Sequence, residues 1–403
     1  MKEIVVIANL DNGVGMSGGT RIYYELLKKL GSSFGVVFFG SNGTINRIKQ
    51  EKIENIKYIE TDLEVGTELG TMIGLFTHTV RRLVGGIMGV RRHYKKVRNV
   101  DYVFSVSDFW PEILPALFLK WKNPKIKWVA AFYFFAPKPW QKDNPYATTI
   151  TRRSIGFIYW FTQQLAYHVI KRWADLIISC NEIDRRIFIK NGYPTENIIS
   201  IYGGVDLPSI KKVLSPKRKL YDAVFMARFH PQKGPLIAVK VWKEIVKTMP
   251  SAKLAMIGNG PEESAVKSYI ELNHLERNVE LMGYLDGVKK YKILKSSRIF
   301  IHPAIYETGG MAAAEGMACE LPVVAFNHEG FEFCYPQGMV RVSPIGDIHK
   351  FAKATGDLLK NKKRYDSISQ QALNLIKREW DWDKRASFIQ KKLSELATIT
   401  NKR

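Results

Sequence analysis

Two glutamates, Glu307 and Glu315, stand eight residues apart on either side of a Gly309-Gly310 pair. An apolar run, Ile299-Phe300-Ile301, precedes them and breaks at His302-Pro303, and a second apolar run, Val323-Val324-Ala325-Phe326, follows Pro322. Strand, glycine turn, small-residue helix and strand form a βαβ unit, whose helix start offers unpaired N–H groups to an anion. Glu307 falls on the loop before the turn and Glu315 in the first turns of the helix. Upstream, Arg228 and Lys233 bracket the run Arg228-Phe229-His230-Pro231-Gln232-Lys233-Gly234. Arginine supplies a planar fork of donors and lysine a point charge, so the pair suits a diphosphate. The competing readings are solvated helix glutamates and a chance cationic pair in a basic chain.

The elements that must position these residues alternate. Strand 221–227 runs into the Arg228–Gly234 turn and a helix from Pro235, and strand 252–258 leads to Gly258-Asn259-Gly260-Pro261. Strand 279–285 follows, with Gly283-Tyr284 near its end. The first 205 residues alternate in the same way, with strands at 4–9, 35–40, 102–107, 127–134 and 174–181 and a helix at 20–30. Such patterns predict parallel α/β sheets with ligands at the carboxyl edge. Gly13-x-Gly15-x-x-Gly18 matches the dinucleotide fingerprint in form, but strand 35–40 lacks the acid that should end it.

The stretch from Arg298 to Phe326 resembles the E-x7-E signature of the retaining, GT-B glycosyltransferases of family 4, including the Met317-Ala318-Cys319 run. Glu320 stands where that family usually has glycine. Arg228–Gly234 resembles the family's G-R-x-x-x-x-K-G turn with Ala227 in place of the first glycine. Gly258–Pro261 resembles its G-x-G-P turn, and Gly18-Gly19-x-Arg21 its first N-terminal turn. The strand 174–181 resembles the family's A-D-x-I-I strand, and Gly203-Gly204-Val205-Asp206 its N-G-V-D hinge, with asparagine lost. The resemblance implies an α/β, GT-B architecture of two Rossmann-like domains facing across a cleft. Residues 1–205, with a helix at about 380–400 crossing back, would bind the acceptor, and 206–379 the nucleotide-sugar. It implies that Glu307 holds hydroxyls of the donor sugar and Glu315 those of the ribose. Arg228, Lys233 and the N–H groups around Gly309, Gly310, Met311 and Ala312 would stabilise the leaving diphosphate. Gly18, Gly19, Gly258, Gly260 and Tyr284 complete the donor site. Many members carry a sugar-contacting histidine at the end of the strand 127–134; here that place falls among Phe132, Tyr133 and Phe135. The implied reaction is retaining transfer of a hexose to a lipid-linked or surface-glycan acceptor, with the departing phosphate oxygen as proton acceptor. Neither an obligatory metal nor a cofactor is expected.

Length and composition set the outer limits. The 403 residues suit two domains, and three cysteines form no pairable framework. Met1-Lys2-Glu3 leads straight into a strand, so a cytoplasmic protein is expected, peripheral on the membrane if the basic face docks there. Net charge is +23, and between Leu75 and Ala174 there are 17 Lys/Arg against four acids, interleaved with tryptophans. That pattern suits an anionic membrane surface, nucleic acid, or general solvation. Nucleic acid is disfavoured, because zinc spacing, RNP motif and a continuous basic recognition helix are all missing. In 66–98, apolar segments broken by Arg81-Arg82, Arg91-Arg92 and Lys95-Lys96 read as an interfacial or a packed helix, interrupted at Gly85-Gly86 and Gly89. The run 154–170 reads as a buried or interfacial helix too polar to span a bilayer. The rival enzyme is a nucleotide-sugar 2-epimerase of the same fold.

Overall fold

The computed structural model describes residues 2–10, 18–51, 53, 55–61, 72–141 and 150–398. Gly13 and Gly15 of the glycine fingerprint lie outside the described residues. The chain divides into two compact units, Met1–Ile201 with Asp383–Arg403, and Tyr202–Trp382.

The first unit is built on seven strands: β1 (Glu3–Ala8), β2 (Gly35–Gly40), β3 (Ile56–Glu60), β4 (Tyr102–Ser105), β5 (Lys127–Phe132), β6 (Leu176–Ser179) and β7 (Ile198–Ser200). They lie in the order β3-β2-β1-β4-β5-β6-β7, every pair parallel. The second unit has six strands: β8 (Tyr221–Met226), β9 (Leu254–Ile257), β10 (Val279–Gly283), β11 (Ser297–His302), β12 (Val323–Phe326) and β13 (Met339–Val342). Their order is β10-β9-β8-β11-β12-β13, again all parallel. Central strands are apolar on both faces, as helices on both sides of a parallel sheet require. Val5, Val103, Val224, Phe300 and Val324 are all shut off from solvent. Each order reverses once, between β1 and β4 and between β8 and β11, and such switch points open a crevice at the carboxyl ends of the strands.

Helix Met72–Arg92 runs unbroken through Gly85, Gly86 and Gly89, against the expectation that these would interrupt it. A β-carbon on Gly86 would lie 2.1 Å from Asn9 Nδ2, and one on Gly89 would lie 3.0 Å from Thr61. The glycines therefore let the helix lie close on the sheet edge and its neighbour Trp110–Lys122, and that packing outweighs their poor helix propensity. The first helix begins at Gly18, two residues earlier than its sequence indicates. Run 154–170 lies inside one long helix, Ile150–Trp173. The last helix, Trp382–Thr398, belongs to the first unit from Asp383 onward. There Tyr102 Oη donates to Leu393 O at 2.7 Å, and Gln390 reaches Lys29 O and Ser33 Oγ.

At the start of the second unit the backbone is tightly packed. Gly203 has φ +99° under Met311, Gly204 lies flat against the Trp382 ring, and Val205 N–H donates to Trp380 O. After helix Met311–Ala318, Glu320 takes φ +66°, the left-handed geometry that the usual glycine would adopt. The turn is thus kept, with a side chain where none is favoured. All three cysteines are buried and no disulfide joins them, and burial pushes the Cys319 and Cys334 thiols up to about 12.

Candidate functional site

The carboxyl ends of β8 and β11, the two strands at the switch point, carry the site. β8 runs into Arg228–Gly234 and β11 ends at His302, so the two loops leave adjacent strands in the same direction. They are stitched together by Ile305 N–H donating to Gln232 O at 2.9 Å. Gly234, at φ +66°, admits no side chain, because a β-carbon would lie 2.2 Å from Pro303 O. Gly258 closes the next loop in the same way, against Ala227 O.

This stitching brings Lys233 and Glu307 together across 74 residues of sequence, with Nζ 2.6 Å from Oε2. His302 Nε2 lies 3.0 Å from the same oxygen, and Thr308 N–H donates to Oε1 at 3.0 Å. Burial would raise the Glu307 pKa, but the Lys233 ammonium and His302 outweigh it and hold the carboxyl well below its usual range. An ionised carboxylate only accepts, so His302 carries its proton on Nε2. Of roughly four acceptor positions on the carboxylate, two on Oε2 and one on Oε1 are used. The free one on Oε1 can take a ligand hydroxyl. Lys233 in turn keeps donors to spare for an anion.

Past Glu307, the chain turns at Gly310 (φ +58°) into helix Met311–Ala318. Tyr335 fixes this turn: its buried hydroxyl donates to Gly309 O (3.0 Å) and Gly310 O (2.8 Å), and its ring stacks on Trp380 at 5.1 Å. The N–H groups of Met311 and Ala312 precede the first helical bond, which Ala313 N–H makes to Gly310 O. One turn on, Glu315 Oε1 accepts from the buried Lys290 ammonium at 2.8 Å, and Asp286 Oδ1 lies 3.0 Å from the same nitrogen. Glu315 Oε2 is left for a ligand.

The remaining anticipated residues fall into three groups. Arg228 is exposed, and its guanidinium makes no hydrogen bond or ion pair among the described residues. Gly258, Gly260 and Tyr284 lie on the neighbouring loops after β9 and β10, with Tyr284 half exposed. Gly18 and Gly19 are in the first unit at the start of a helix, and the close approach that Gly19 makes there is to the Tyr133 ring, 2.8 Å from a β-carbon position. Three side chains that the sequence did not single out complete the arrangement. His302 was legible only as a strand break, Lys290 was hidden in a basic run, and Tyr335 left no signal. Among the described residues, no group of three or more His, Cys, Asp or Glu side chains could hold a metal ion.

Residues 207–375, all in the second unit, match the family model for glycosyl transferases group 1. The chain is 27% identical over 176 residues to the poly(glycerol-phosphate) alpha-glucosyltransferase of Bacillus subtilis, covering 43% of this chain and 26% of that one. It is 26% identical over 197 residues to the UDP-Gal:alpha-D-GlcNAc-diphosphoundecaprenol alpha-1,3-galactosyltransferase of Escherichia coli, covering 43% and 50%. The chain thus spans half or less of the length of these two relatives. Among solved structures, it resembles sucrose-phosphate synthase from Thermosynechococcus elongatus (TM-score 0.77, 15% identity, 99% and 100% covered). It also resembles HepE from Anabaena, solved with UDP and glucose (TM-score 0.71, 14% identity, 98% and 100% covered). The fold is GT-B.

Proposed function

We propose that this chain is a retaining glycosyltransferase that moves a hexose from a nucleotide-sugar to a hydroxyl of a lipid-linked or surface-glycan acceptor. The observation that carries the reading is the buried, ionised Glu307, held by Lys233 and His302 at the switch point beside a helix start. Glu307 Oε1 takes a hydroxyl of the donor sugar and Glu315 Oε2 a ribose hydroxyl. Lys233, Arg228 and the Met311 and Ala312 N–H groups receive the diphosphate. In the transfer, the bond from the anomeric carbon to the phosphate oxygen breaks and the acceptor oxygen bonds to that carbon on the same face. The acceptor proton passes to the departing phosphate oxygen. Charge grows on that oxygen, so fixed cations and N–H dipoles aimed at it lower the barrier. The names of the two relatives, one acting on a poly(glycerol phosphate) and one on a diphosphoundecaprenol sugar, favour a phosphate-linked acceptor. The carboxyl edge of the first unit's sheet, rich in aromatics from Phe132 to Phe135, is the proposed place for it.

A thermal-shift panel of UDP, GDP, ADP and their sugar conjugates, with and without EDTA, tests the donor half, since a ligand of the folded state raises the melting temperature with its affinity. One metal-independent hit is expected. Glu307→Gln should keep that shift and lower transfer by about 100-fold or more. Equal loss of binding and transfer would make Glu307 structural. Donor turnover with no acceptor present would favour the epimerase, a class that the fold also admits: a putative UDP-N-acetylglucosamine 2-epimerase from Listeria monocytogenes aligns at a TM-score of 0.62.

A further inference from the structure

Helices Met72–Arg92, Trp110–Lys122 and Ile150–Trp173 of the first unit pack side by side. On the outer side of Ile150–Trp173, Phe157, Ile158, Phe161 and Leu165 are each 46–50% exposed. At 100° per residue they share one arc of the helix. The Phe157 and Phe161 rings lie parallel, 6.4 Å apart. Beside them Trp140, 66% exposed, meets Trp160 edge-on at 5.0 Å. Helix Met72–Arg92 repeats the pattern with Phe76, Val80 and Val84, exposed and four residues apart. Isolated surface apolar residues are ordinary, but a stripe along each of two helices is not.

The exposed charge in this part of the chain is almost all of one sign. Arg91, Arg92, Lys95, Lys96 and Arg98 are exposed at the end of the first helix, and Lys171 and Arg172 close the last turn of the other. Of the acids between residues 75 and 174 that the structure describes, Asp108 and Glu112 are buried, which leaves Asp101 as the one exposed. No helix among the described residues is long and apolar enough to cross a membrane. An apolar helix face bordered by cations, on a helix that does not span, is suited to lying in the headgroup layer with its aromatic side chains inserted.

We propose that this face docks on an anionic lipid bilayer, with Phe157, Ile158, Phe161 and Leu165 inserted and the flanking arginines and lysines at the headgroups. The inference rests on the transferase reading only for its purpose, which is to bring the first unit to a lipid-linked acceptor. Its test uses neither donor nor acceptor, so the two fail separately. The full chain is sedimented with phosphatidylcholine vesicles, with and without phosphatidylglycerol. Binding should be about tenfold or more tighter to the anionic vesicles and weaken with sodium chloride. Phe157→Ser with Phe161→Ser should reduce it by about tenfold or more, with the melting temperature and any nucleotide-induced shift unchanged. Arg91→Gln with Arg92→Gln should reduce the preference for anionic lipid and leave folding intact. Equal affinity for neutral and anionic vesicles, or undiminished binding by the serine variant, would overturn the proposal. So would self-association in solution that the serine variant abolishes, which would assign the face to a second copy of the chain.

Discussion

Lys290→Met removes an ammonium that is only 6% exposed and that bridges two carboxylates, at 2.8 Å to Glu315 and 3.0 Å to Asp286. Burial alone would lower the Lys290 pKa, yet Glu315 and Asp286 overcome it and raise it above its ordinary value. The charge pair is therefore net favourable in place. A charge-assisted bond to Glu315, 18% exposed, is worth about 1.5–3 kcal/mol. Asp286 is 39% exposed, so solvent screening limits its share to less than about 1 kcal/mol. The expected loss is about 2–3 kcal/mol at neutral pH, because Glu315 is left partly buried without its partner. Glu315→Gln should cost a similar amount, and the double variant less than the sum by about 1.5 kcal/mol. Urea denaturation of the full chain and its three variants supplies the cycle. A folded-state pKa above 10.5 gives stability that is complete below that value and lost as pH rises through the folded one, so the Lys290→Met deficit should shrink in alkali. A coupling below about 0.5 kcal/mol would refute the claim that Lys290 orients Glu315. Nucleotide affinity gives an independent check, falling in Lys290→Met with little change in turnover at saturation.

Two further outcomes follow from backbone and burial. Glu320→Gly relieves a left-handed residue (φ +66°) and should raise stability by about 0.5–1 kcal/mol, since a side chain there costs more than glycine's extra freedom when unfolded; an unchanged or lower melting temperature would contradict it. Burial pushes Asp184 up to about 7, opposed by hydrogen bonds from Asn181 and the Phe135 amide and aided by nearby Asp108, itself pushed up to about 6 by burial. Between its ordinary 3.8 and about 7, the unfolded chain has released a proton that the folded chain still holds. Stability should therefore fall as pH rises across that window, by on the order of 2–4 kcal/mol. Melting curves from pH 5 to pH 8 should show this decline in the native chain and a flatter profile in Asp184→Asn.

The site was legible in the sequence where local punctuation and function coincide. The strand end, glycine pair and helix around Glu307 and Glu315 sit within one short βαβ unit, and the Arg228–Gly234 turn carries its cations between a strand and a proline-started helix. Pairing was not legible. Lys233 and His302 meet on one carboxylate oxygen because β8 and β11 are neighbours in the sheet, a fact of topology that no local pattern encodes. Lys290 illustrates the same gap, since a lysine among lysines looks solvated until the helix is docked. Gly86 and Gly89 misled in the opposite direction, because their propensity is local while their close approach to Asn9 and Thr61 is tertiary.

The return of the last helix to the first unit has a consequence for how the chain is made. Ala386, Ile389, Leu393 and Leu396 are buried in that helix, and its carbonyl at Leu393 accepts from a tyrosine 291 residues earlier. The second unit is continuous from Tyr202 to Trp382, so everything it needs has emerged before this helix is synthesised. At about 5–20 residues per second, the first unit waits on the order of ten seconds or more with the seat of that helix, at Lys29, Ser33 and Tyr102, uncovered. The unit synthesised first is thus completed last.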